Sequence, residues 1–92
     1  GEDEQLATIR KIQHLCGYEP MVRLLNNVGS ENLSDQLLGE LAKAYNNTGR
    51  EREAIKVLEL VEEENRDAMW YCRWDVVTED GLRPYNRSAR CT

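Results

Sequence analysis

Three features of this 92-residue chain predict an all-α fold. Apolar residues recur at three- and four-residue steps in five successive segments, the spacing that lines one face of a helix. Gly17, Gly49 and Gly81, each 32 residues apart, punctuate those segments where a helix would end. The turn Asn47-Thr48-Gly49 is short, and so short a turn leaves the helices on either side no arrangement but an antiparallel hairpin.

The first helix is expected over Glu4 to Cys16, with Leu6, Ile9, Ile12 and Cys16 on one face and Gly17 as its stop. Pro20 suits the first turn of the second helix, where its missing N–H would be unpaired in any case. Met21, Leu24, Leu25 and Val28 form that helix's stripe. Gly29 ends it, and Ser34 is placed to cap the third helix by accepting an orphan backbone N–H. There Leu38, Leu41, Ala42 and Tyr45 make one stripe, and Leu37 and Ala44 widen it toward a second neighbour. After Asn47-Thr48-Gly49, helical spacing resumes from Arg50 to Asn65 with Ala54, Val57, Leu58 and Val61 inward. Glu62, Glu63 and Glu64 crowd the negative end of that helix, which predicts fraying. A fifth helix, about Asp67 to Thr78, is apolar nearly all round and is therefore buried or in contact with something. The expected organisation is a disordered 1–3, a helical domain over 4–81 and an irregular tail over 82–92.

A repeat runs through this pattern. Leu6, Leu38 and Trp70 share the 32-residue step with the three glycines, and Ile9 pairs with Leu41. The segment "LLGELAKAYNNTGREREAIKVLELV" resembles the tetratricopeptide repeat family through Leu38, Leu41, Ala42, Tyr45, Gly49, Ala54, Leu58 and Val61. One repeat, about 35–67, follows the family's order of large, large, small, aromatic, Gly, Ala, large and small residues. The hairpin before it keeps Leu6, Ile9 and Gly17 but has Gln13 in place of the aromatic residue. The last helix fits the first half of a further repeat in either of two registers. Trp70 continues the 32-residue step, whereas Tyr71, Trp74 and Asp75 match one residue later; the later register keeps Arg73 out of the core and is preferred. The resemblance implies antiparallel hairpins stacked as a short right-handed solenoid of about five helices, acting as a protein-interaction scaffold.

Composition narrows the function classes. A net charge of −5 and an isoelectric point near 4.9 argue against nucleic acid, whose recognition rests on a basic surface. With 40% apolar and 32% charged residues, no run approaches the roughly 20 apolar residues of a membrane span, so membrane insertion is not expected. Gly1 opens the chain with neither Met nor a signal-like segment, which points to processing or a tag remnant. Cys16, Cys72 and Cys91, odd in number and widely spaced, match neither a disulfide framework nor a zinc pattern, so a reduced cytoplasm is the expected location. The acceptor triplets at Asn32, Asn46 and Asn86 are then chemically idle.

No catalytic set emerges. His14 and Cys16 are two residues apart on a helix and point to different faces, and Cys16 reads as a small buried apolar side chain. Phosphate-cradling glycine motifs are missing, so no cofactor and no metal are expected and the chain is read as a non-enzyme. The candidate sites are for partners. In the family it resembles, the first helices of successive hairpins line a concave groove for peptides, which implicates Gln36, Lys43, Asn46 and Asn47, side chains suited to a peptide backbone or carboxylate. Trp70 and Arg73 on the last helix join them as partner-binding candidates, since aromatic side chains anchor interfaces or fill cores. The aromatic outer face of that helix could be covered by the tail, by a second copy through 67–78, or by further repeats. Arg83, Arg87, Arg90 and Tyr85 make the tail basic.

Overall fold

The computed structural model describes residues 2–79, so Gly81 and the expected tail over 82–92 lie outside the described residues. Five α-helices follow one another: α1 (Glu2–Cys16), α2 (Tyr18–Val28), α3 (Asp35–Asn47), α4 (Glu51–Glu59) and α5 (Ala68–Glu79). One-turn 3-10 helices at Ser30–Asn32 and Glu63–Asn65 separate α2 from α3 and α4 from α5, and no strand occurs among the described residues. Each helix packs on the next in sequence, and α5 also reaches back to α3.

The turns form for the reasons the sequence supplies. Gly17 alone separates α1 from α2, with a φ of 88° that side-chain-bearing residues avoid, and its N–H donates to the Gln13 carbonyl at 3.0 Å. Gly49 has a φ of 78° at the turn between α3 and α4. Ser34 caps α3, its Oγ accepting from the Leu37 N–H at 3.3 Å.

The core is built outward from α3. Leu41, Ala42 and Ala44 on α3 and Ala54, Val57 and Leu58 on α4 are all buried in one cluster. Three alanines in that set let the two backbones come close while the leucines fill the space between them. Tyr45 is buried as well. Its hydroxyl donates to Asn26 Oδ1 at 3.0 Å, which ties α3 to α2, and the Arg50 guanidinium lies over its ring. Met21, Val22 and Leu25 of α2, with Leu6 and Ile9 of α1, complete the N-terminal side.

Several expectations are corrected. α1 begins at Glu2, so residues 2–3 are helical and not a disordered arm. Cys16, expected inside, is an exposed free thiol, because the helix ends there and Gly17 carries the chain away. α4 stops at Glu59 and does not run to Asn65; the three glutamates instead occupy an exposed turn and 3-10 segment. Cys72 is disulfide-bonded, contrary to the reading that the cysteines form no bridge. The register chosen for the last helix also fails in its reason, since Arg73 is largely buried whereas Tyr71 is 55% exposed. No helix among the described residues is long and apolar enough to cross a membrane.

Candidate functional site

α1, α3 and α5, separated in the chain by α2 and α4, each contribute side chains to a common surface. Between them lies a groove of about 490 Å³, to which α1 contributes Asp3, Leu6 and Arg10, and α3 contributes Asp35, Gln36, Gly39 and Glu40. Met69, Trp70 and Arg73 enter from α5, and Val61, Asn65 and Asp67 from the segment before it.

Glu40 is the centre of this site. Its side chain is 3% exposed, a costly place for a carboxylate unless cations surround it. Three do: Arg10 Nη2 and Arg73 Nη2 each lie 3.4 Å from Oε2, and Lys43 Nζ lies 3.4 Å from Oε1. These contacts are longer than the roughly 2.7–2.9 Å of a strong charge-assisted bond. Oε1 accepts no hydrogen bond, and the buried Nε of Arg73 has no acceptor. Desolvation lowers the Arg73 pKa below its ordinary value, with the Glu40 and Asp67 carboxylates opposing and Arg10 adding to the effect.

Gly39 explains how the guanidinium reaches so far in. A Cβ at this position would overlap Arg73 Nη1, so the missing side chain is the space in which the guanidinium sits. A glycine inside a helix costs about 1 kcal/mol relative to alanine, and here the absent methyl group admits a charge from another helix.

The sequence-predicted residues divide between two places. Gln36, Trp70 and Arg73 line the main groove. Lys43, Asn46 and Asn47 line a crevice of only about 20 Å³ between α3 and the far end of α5, which Arg73 also touches. Lys43 is engaged with Glu40, and Asn47 Nδ2 donates at 3.0 Å to the Lys43 carbonyl, closing the helix end. Asn46 Oδ1 is buried without a hydrogen-bond partner.

Trp70 is a core residue on the groove wall. Its indole N–H donates to the Leu58 carbonyl at 2.9 Å, its ring stacks on Trp74 with centroids 5.2 Å apart, and Arg66 covers it at 4.4 Å. Arg66 also donates through Nε to the Val61 carbonyl at 3.0 Å, so one side chain closes the end of α4 and holds the first turn of α5. Asp67 accepts from the Trp70 N–H at 2.9 Å and caps that turn.

Sequence reasoning missed Gly39, Glu40 and Arg10. The available signal was the Gly-Glu pair set among Leu37, Leu38 and Leu41, a poor helix former and a charge inside an apolar stripe. No protein-family profile matches this chain, and no curated protein or solved structure matches it.

Proposed function

We propose that this chain is a non-enzymatic protein-interaction module of tetratricopeptide-like character that binds a peptide or protein segment in the groove between α1, α3 and α5. One observation carries the reading: three helices that are not neighbours in sequence line one open groove with exposed polar and charged side chains over an apolar floor. Gln36 and Met69 are exposed on its walls, and Leu6, Val61 and Trp70 are buried beneath. The sequence landmarks from Leu38 to Val61 support the family character independently.

The test is direct. Peptides selected against the folded domain should lose at least tenfold in affinity for a Gln36→Arg, Met69→Arg variant that unfolds at an unchanged temperature. Affinity equal to that of the parent would remove the groove from consideration.

A second reading, self-association through α5, is favoured by the exposure of Met69 and Tyr71 on that helix. It predicts a concentration-dependent dimer in light scattering that reverts to monomer on Tyr71→Ser; a monomer at every concentration refutes it. A cytoplasmic location, expected from the cysteine spacing, is part of the primary reading. The disulfide at Cys72 argues the other way, because such bonds persist chiefly in oxidising compartments. Alkylating the protein within its own cells distinguishes the two, since Cys72 reacts without reductant only in a reducing compartment.

A further inference from the structure

The groove is polarised along its length. α1 and α3 each enter it with a carboxylate in the first turn, Asp3 and Asp35, and Asp67 stands just before α5. Farther along the same helices come Arg10, Glu40 and Arg73. At about 1.5 Å of rise per residue, the acidic end precedes the charge cluster by roughly 8–11 Å on each helix.

The two ends differ in sign. Acidic residues in a first helical turn are ordinary, since the helix dipole favours them, and Asp67 is already a cap. They acquire meaning from the opposite end of the groove. There Glu40 meets Arg10, Lys43 and Arg73, three cations around one carboxylate. Every contact is long and Arg10 is 60% exposed, so its guanidinium can face a ligand while still neighbouring Glu40. Three cations against one carboxylate leave net positive charge at one end, and the exposed carboxylates of Asp3 and Asp35 line the other.

We propose that the groove takes an extended peptide segment of complementary polarity: a lysine or arginine over Asp3 and Asp35, and an aspartate or glutamate over Arg10 and Arg73. This rests on the reading of the groove as the partner site. At about 3.3 Å per residue in an extended chain, the two charges of the ligand stand two to four residues apart. An extended chain crosses the roughly 8–11 Å between the two ends in two to four residues, whereas a helix needs about five to seven, more than the single turn a groove of about 490 Å³ would hold, so an extended segment is the better fit. A segment of one charge sign would meet repulsion at one end.

Selection of random peptides displayed on phage against the immobilised domain tests both levels. The expected result is enrichment of segments with a basic and an acidic residue at that spacing. Their synthetic copies should bind the Asp3→Lys, Asp35→Lys double variant at least tenfold more weakly, and copies with the basic residue changed to glutamate should regain affinity for that variant. Enriched peptides without the pattern, or no regain on charge exchange, would overturn the polarity while leaving the groove as the binding site. No enrichment, or binders indifferent to Gln36→Arg, Met69→Arg, would overturn the groove and the polarity together.

Discussion

The α3–α4 contact and the α3–α5 contact are made by one helix with opposite chemistry. Toward α4, α3 presents Leu41, Ala42 and Ala44 to Ala54, Val57 and Leu58, all apolar and buried. Toward α5, the same helix offers Gly39 and Glu40 to Arg73. Apolar contact is non-directional and contributes in proportion to the area removed from water. A carboxylate facing a guanidinium contributes less net stability after desolvation, yet it is satisfied in few orientations and so fixes where α5 sits. The first interface accounts for the fold holding together, the second for the shape of the groove.

The largest expected effect lies on the apolar side. Leu58→Ala should cost about 2–5 kcal/mol in denaturant unfolding, because it opens a cavity in the buried cluster that Leu58 shares with Ala54 and Val57. A loss under about 1 kcal/mol would mean α4 repacks freely, and the contrast between the interfaces would weaken. Next comes Glu40→Ala, expected to cost about 1–3 kcal/mol by leaving Arg73 without its carboxylate. Replacing both partners, Glu40→Leu with Arg73→Leu, should recover most of that stability while abolishing peptide binding. Stability and binding lost in parallel would show that the charged interface also holds the fold.

Gly39→Ala sharpens the comparison through its sign. In the parent protein the gain in helix propensity, about 1 kcal/mol, is offset by displacement of the Arg73 guanidinium. In an Arg73→Ala background only the gain remains, so the same substitution should stabilise by about 0.5–1 kcal/mol. A double-mutant cycle reads this coupling, and additivity would disprove the claim that the glycine accommodates the guanidinium. An effect of similar size and opposite sign is expected for Ser34→Ala, about 1 kcal/mol from the loss of the α3 cap, measured as a drop in melting temperature with groove affinity preserved.

The element pattern was legible because helix periodicity and glycine punctuation act locally. Gly17 and Gly49 end helices wherever those helices go, and the spacing of Leu38, Leu41, Ala42 and Tyr45 defines a buried face without naming its neighbour. Limits appeared where the determinant was a partner distant in sequence. Trp70 is buried by Leu58, Trp74 and Arg66 together, a combination that its own helix does not reveal. Arg73, set outside the core on the ground that charges avoid burial, enters because Glu40 stands thirty-three residues earlier with Gly39 beside it. Lys43, Asn46 and Asn47, grouped by helix position with Gln36, belong to a separate crevice once α5 is in place.

By itself, the sequence determined five helices, their approximate limits, the turns between them and which side chains are apolar enough to face inward, since each depends on residues within a turn or two of one another. Tertiary structure alone decided that three helices separated in the chain would share one groove, that a carboxylate could be buried among three cations, and that an arginine could occupy the place of a missing methyl group. Apart from the Lys43 contact, those outcomes depend on distances between residues thirty or more apart, and electrostatic pairing of that kind leaves no period in the chain.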